Sequence, residues 1–352
     1  MIDYEILRVI WWLLLGTLLV GFAVMDGFDL GIGMLLHRVA KTNDERRVVL
    51  NTIGPIWEGN QIWLVLGGGA IFAAWPALYA LSFSGFYFAL LLVLFGLILR
   101  PVGFKYRSKI ESTPWRSAWD FALFVGGLVP ALVFGVAMGN VLQGAPFYFD
   151  DTFRSFYDGN FFGLLNPFAL LCGLVSIAML LMHGAIFLCI KTEGLIQVRA
   201  RNYARLATVL TIVLFALAGW WVAHGITGYI LTSNSPYNGP SNPFTKTVTT
   251  AIGAWMNNYH HYPFLKIVPA LGFLGALWAL LLVNSRFYRL AWICSALSIA
   301  SIIATVGVSM FPFILPSTVN PNLSLMIFDA SSSQLTLFIM LLATIIFLPI
   351  IL

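Results

Sequence analysis

Apolar residues recur along this chain in long runs broken by short polar stretches. If about 20 apolar residues make one membrane crossing, nine segments qualify: 9–36, 55–74, 78–99, 118–141, 164–190, 205–231, 263–284, 290–312 and 332–352. The pattern predicts an all-α fold, a polytopic membrane protein of about nine transmembrane helices forming one integral-membrane domain over 1–352. Two connections are longer than a turn needs. Residues 142–163 hold Asp150, Asp151 and Asp158; residues 232–262 contain S-N-S-P-Y-N-G-P-S-N-P-F, a cluster of turn formers that reads as an ordered loop. Trp255, Tyr259 and Tyr262 suit the aromatic belt at a membrane interface. No loop is large enough for a soluble domain.

Composition agrees: 60% of the residues are hydrophobic and 9% charged, outside the range of soluble domains. The net charge of +5 would suit an anionic partner such as nucleic acid, but the basic residues sit in short loops between apolar runs, so no nucleic-acid partner is expected. With the N-terminus outside, Arg38, Lys41, Arg46 and Arg47, the group from Arg100 to Arg116, the group from Lys191 to Arg205, and Arg286 with Arg289 all fall inside. These are fifteen of the nineteen basic residues. The positive-inside rule then predicts a periplasmic N-terminus and a cytoplasmic C-terminus. The first residues lack the features of a cleaved signal, so the first helix is expected to stay. The last run reaches Leu352, so either its helix stops at the interface or a polar tail follows. Cys172, Cys189 and Cys294 lie in apolar segments without C-x-x-C spacing, which predicts neither disulfides nor a thiolate metal site.

The polar residues inside apolar segments carry the functional question, because a charge at a helix centre costs roughly 2.5–3.5 kcal/mol. P-I-W-E-G-N-Q-I-W at 55–63 places Glu58, Asn60, Gln61, Trp57 and Trp63 within about two helical turns. Glu58 and Gln61 share a face that must look at protein, water or a proton path. Asp26 and Asp29, in V-M-D-G-F-D-L-G-I-G, share a face of the first segment near its cytoplasmic end. Asp120 lies at the same level, at the start of the fourth segment. Each acid has an ordinary explanation: Asp26 and Asp29 reach the interface or a frayed helix, while Glu58 and Asp120 sit in first turns that the helix dipole favours. The alternative is that Asp26, Asp29, Glu58 and Asp120 together form the mouth of a proton path.

His183, in M-L-L-M-H-G-A, is a candidate haem ligand. A lone intramembrane histidine is more often hydrogen-bonded to a neighbouring helix, and His224, His260 and His261 near the outer side add no partner of suitable depth. Met179, Met182 and Met310 read as core filler. Residue patterns alone thus place no catalytic residue, cofactor ligand or metal site in this chain. Asp329, with the hydroxyls of A-S-S-S-Q-L-T-L, is expected to cap the outer end of the last segment. Gly67–Gly69 and Gly126–Gly127 suggest close helix packing.

Several motifs at intact spacing resemble subunit II of the cytochrome bd ubiquinol oxidases. They include D-Y-E-x-L-R-x-I-W-W (3–12), G-F-A-V-x-D-G-F-D-x-G (21–31), E-R-R (45–47) and W-E-G-N-Q-I-W (57–63). F-A-A-W-P (72–76), F-S-G-F-Y (83–87), R-P-V-G-F-x-Y-R-S-K-I (100–110), G-N-F-F-x-L-L-N-P-F (159–168), G-A-W-M-N-N (253–258), M-F-P-F (310–313) and S-S-Q-L-T-L (332–337) extend the resemblance to the last segment. It implies a heterodimer of two similar subunits in a bacterial inner membrane, oxidising quinol and reducing dioxygen to water. Two haems b and one haem d would be ligated essentially by subunit I; membrane lipid, quinone and small single-helix accessory subunits are further partners it admits. Subunit II would stabilise subunit I and conduct protons from the cytoplasm by way of Asp29, Glu58 and Asp26. Some relatives carry Asp at the position of Glu58, which keeps the carboxylate, and the family's polar C-terminal tail is absent here. Two rival readings are a proton-coupled transporter and a purely structural scaffold.

Overall fold

The structure, a computed structural model, describes residues 2–233 and 236–351. Positions 234 and 235 of the outer loop and Leu352 of the last predicted span lie outside the described residues. The first apolar run forms two helices, α1 (Tyr4–Met25) and α2 (Gly27–Val39), with Asp26 at the break. Next come α3 (Asn43–Ile53), the single turn α4 (Trp57–Asn60), α5 (Ile62–Ala74) and α6 (Pro76–Gly85). Then α7 (Tyr87–Tyr106), α8 (Thr113–Gln143), α9 (Pro167–Lys191) and α10 (Gly194–His224) form the middle of the chain. After α11 (Asn257–His261), the chain closes with α12 (Ile267–Asn284), α13 (Tyr288–Met310) and α14 (Gln334–Ile351).

Seven helices among the described residues are long and apolar enough to cross a membrane: Tyr4–Val39 taken together, α7, α8, α9, α10, Pro263–Asn284 and α13. The other two predicted spans fall on the shorter helices α5 and α14. Three boundaries move. The expected 78–99 span begins instead as α6, which Trp75 and Pro76 separate from α5 and which packs on the strand Ser155–Tyr157; the long apolar helix starts at Tyr87. The 205–231 span starts at Gly194 and ends at His224. Its last residues belong to an antiparallel hairpin of β3 (Thr227–Ser233) and β4 (Thr247–Ile252). Apolar content alone does not separate a strand from a helix end. The 118–141 span starts five residues early, at Thr113.

The same pole carries β1 (Phe147–Phe149) paired with β2 (Ser155–Tyr157), and β5 (Phe313–Leu315) with β6 (Leu325–Met326). Arg8 ties this pole together. Its buried guanidinium donates to Ser331, Ser241 and the Tyr237 and Gly239 carbonyls, and lies over the Tyr4 ring. Asp329 does not cap the last helix: it accepts from Lys246 at 2.7 Å and from the Met326 amide, while Ser333 accepts the Thr336 amide as the cap. Burial pushes the Asp329 carboxyl up and the Lys246 ammonium down, and their ion pair opposes both shifts.

Two helices form the centre. Seventeen of the 25 residues of α9 are buried, and so is every residue from Asp26 to Leu36. Glycines permit this density: a Cβ at Gly184 would stand 2.9 Å from the α2 backbone, and one at Gly127 would meet the Leu30 carbonyl at 2.5 Å. The two faces of α2 therefore pack against α9 and α8 at backbone distance.

At the opposite pole α3 opens with a capping box: Thr42 Oγ1 accepts the Glu45 amide, and Glu45 accepts the Thr42 amide. Hydrogen bonds from the Lys41 amide and from Arg199 also reach Glu45, and together with the box hold its carboxyl below the ordinary range. A depressed folded-state pKa gives stability that is present above the unfolded value and lost as pH falls through the folded one. Glu45→Ala should cost about 1 kcal/mol at neutral pH, a difference that disappears in acid. Amide exchange over α3 across a pH series reads both.

Candidate functional site

The break between α1 and α2 places two carboxylates inside the helix bundle. Asp26 is fully buried and Asp29 2% exposed. Opposite them, α7 brings Arg100, 3% exposed, which donates to both oxygens of Asp26 at 2.7 and 2.9 Å. This bidentate geometry is the strong form of a guanidinium–carboxylate pair. Arg100 also lies 3.8 Å from Asp29 Oδ2, and its guanidinium carbon sits 5.8 Å from the centroid of the Trp57 ring. The short helix α4 completes the site: buried Asn60 donates to Asp29 Oδ2 at 2.8 Å, while Trp57 stacks on Phe104.

The two acids are not equivalent. Asp26 has both oxygens engaged by one guanidinium and is locked as its counter-ion. Asp29 Oδ1 is buried and has no hydrogen-bond partner among the described residues. A buried acceptor left unfilled is costly, so Asp29 is the member of the pair with hydrogen-bonding capacity to spare.

Glu58 stands apart. It is exposed on the surface of this chain, two residues from the buried Asn60. The single turn of α4 thus carries the outer acid and the amide that holds the inner one. Asp120 belongs to a second cluster. It is fully buried and accepts from Arg107 and from Arg46, the latter at 2.8 Å. Since α8 begins at Thr113, Asp120 lies two turns inside its helix, and the explanation by a first-turn dipole does not apply. Arg100, near the end of α7, and Arg107, which caps the C-terminus of that helix, lie seven residues apart, about 10 Å along the axis, so one helix and its cap supply the counter-charge to both clusters.

His183 is fully buried with both ring nitrogens engaged: Nδ1 lies 2.7 Å from Ser295 Oγ and Nε2 3.1 Å from the Val24 carbonyl. It does not fit the role of an axial haem ligand, which needs a free nitrogen. His224, His260 and His261 are exposed, and no cluster of three or more metal-binding side chains occurs among the described residues.

Along the chain Arg100 groups with the loop charges, and the fold places it at the acids instead. The signal was present: two acids on one apolar face require an opposite charge at their depth, and Arg100 closes the neighbouring apolar run.

The sequence profile of the cytochrome bd terminal oxidase subunit II family matches residues 7–352. The chain belongs to this family. It is 51% identical over its whole length to cytochrome bd-I ubiquinol oxidase subunit 2 of Escherichia coli K12, covering 93% of that protein. It is 50% identical, over 99% of its length and 92% of the relative's, to a probable cytochrome oxidase subunit 2 of Haemophilus influenzae. A chain in the structure of bd oxidase from Geobacillus thermodenitrificans shares the fold, with a TM-score of 0.71 at 17% identity, covering 97% of this chain and 95% of that one. As a bd-family subunit II, the protein is a multi-pass membrane component of a haem-containing oxidoreductase complex, and it works beside a partner subunit.

Proposed function

We propose that this chain is subunit II of a quinol:oxygen oxidoreductase in a bacterial inner membrane, one integral-membrane domain crossing nine times with its N-terminus periplasmic and its C-terminus cytoplasmic. It stabilises a subunit I that holds two haems b and one haem d, and it supplies protons from the cytoplasmic side for the reduction of dioxygen to water. Quinol oxidation releases its protons outside, so the complex builds a proton gradient. Lipid, quinone and small single-helix subunits complete the assembly.

The observation that carries the proton role is the buried array Asp29–Asn60–Arg100–Asp26, opened toward the surface by Glu58 on the same short turn. Charged groups at this depth are retained where they serve ion or proton movement. Glu58 collects protons at the surface, and Asp29 passes them inward. Arg100 and Asp26 hold Asp29 in place, while Asp120, Arg107 and Arg46 set the potential at the cytoplasmic mouth. The basic residues gather at the pole of α3 and the ends of α7 and α10, away from the hairpins, which supports the orientation.

The test is purification of the tagged chain with its partners, a reduced-minus-oxidised spectrum, and quinol-dependent oxygen uptake for wild type and Glu58→Gln. The proposal expects b and d haem bands with a second large subunit, and a several-fold slower turnover of the variant at unchanged spectrum. A homomeric, haem-free preparation would favour a transporter. Haem bands with unaltered turnover in both Glu58→Gln and Asp29→Asn would reduce the chain to a scaffold.

A further inference from the structure

Beside the acid cluster sits a buried group that the proton route does not use. His183 projects from α9 into the break between α1 and α2, reaching the carbonyl of Val24 in the last turn of α1. Carbonyls in a last helical turn have no intrahelical partner, and here the imidazole supplies a donor. A carbonyl only accepts, so Nε2 carries a proton; Nδ1 lies 2.7 Å from the Ser295 hydroxyl, which also reaches the Trp292 carbonyl at 2.8 Å. Trp292 of α13 stacks on the ring at 5.1 Å with an interplanar angle of 20°. Phe28, the residue before Asp29, lies 6.0 Å from the same ring and stacks on Phe187 of α9 at 4.2 Å. One side chain therefore joins α9 and α13 to the hinge from which both acids project.

We propose that His183 is a positioning residue for proton transfer: its Nε2–H bond to the Val24 carbonyl sets the angle of the α1–α2 break, and with it the placement of Asp26 on Arg100 and of Asp29 on Asn60. The inference rests on the proton-path reading above. Asp26 lies two residues from Val24, so a shift of the carbonyl moves the Asp26 carboxylate directly and Asp29 one turn further on. A misplacement of about 1 Å in a reacting array costs up to about 10²-fold in rate.

The competing explanation, a helix brace with no bearing on the acids, is separated by two conservative variants in the intact heterodimer. The side-chain amide nitrogen of Gln reaches the position of Nε2, whereas that of Asn reaches only the position of Nδ1 and keeps the contact to Ser295. Quinol-dependent oxygen uptake is measured across a pH series for His183→Gln, His183→Asn, Ser295→Ala and Asp29→Asn. His183→Gln is expected to keep most of the turnover and to displace the pH profile no further than Ser295→Ala, since both lose only the contact between Nδ1 and Ser295. His183→Asn should lower turnover by about tenfold and displace the profile, with the haem bands intact. Ser295→Ala, which removes a single hydroxyl and so keeps assembly testable, should displace the profile in the same direction by less. Equal behaviour of the Gln and Asn variants, or an unmoved profile in Ser295→Ala, overturns the proposal. Loss of turnover in Asp29→Asn beside a normal His183→Asn overturns the inference alone; normal turnover in Asp29→Asn overturns the proton-path reading and the inference with it.

Discussion

Asp29→Asn is expected to lower quinol-dependent oxygen uptake by roughly 10²-fold, the scale of losing one positioned proton-transfer group, while the assembled complex keeps its haem bands. The substitution conserves volume, and the carboxamide oxygen still accepts from Asn60, so the 2.8 Å contact to α4 has a replacement. What is removed is the ability to take up and release a proton at a carboxylate oxygen that has no partner among the described residues. The new amide N–H groups fall in that place, and an unfilled buried donor costs about 1–3 kcal/mol, so a modest fall in melting temperature should accompany the kinetic loss. Oxygen uptake and thermal unfolding on one preparation separate the two. Full turnover at reduced stability would make Asp29 a structural acid only.

The long spans were legible because lipid imposes a length on an apolar helix, and α9 was located to within three residues at either end. The errors arose where apolar content changes meaning. Trp75–Pro76 breaks a run that hydropathy leaves continuous, so α6 packs on β2 where a crossing is expected to begin. Residues 227–231, T-G-Y-I-L, are as apolar as a helix end but pair with β4. Nothing local marks the change, since the strand depends on a partner some twenty positions away.

At the site, the acids were legible and their partners were not. Asp26 and Asp29 announced themselves as charges in an apolar run. Asn60 and Trp57 were noticed without a role, because the contact from α4 to α2 is tertiary. Asp120 looked like Asp26 and Glu58 along the chain, yet it is matched to Arg107 and Arg46 and lies apart from them. Spacing identifies residues that share a helix face; which helices meet is decided by small residues such as Gly31, Gly127 and Gly184, whose contacts only the folded chain shows.

Arg100→Met should be the most damaging single change to assembly, costing about 3–5 kcal/mol, the usual penalty for removing one partner of a buried pair. Both oxygens of Asp26 lose their donors at 2.7 and 2.9 Å, in a position with no exposure to water, and Asp29 loses the cation 3.8 Å away. Arg46→Met is the contrast. That side chain is 23% exposed and Asp120 keeps Arg107, so the loss should stay at or below about 1 kcal/mol. The double change Asp26→Leu with Arg100→Met removes both charges at once, and such replacements are often neutral, so much of the heterodimer yield and melting temperature should return. Turnover should not return with it, because Asp29 is then left without the cation and the fixed carboxylate that orient it. If the double variant recovers activity as well as stability, the Asp26–Arg100 pair serves only the fold, and Asp29 needs no more than Asn60 to do its work.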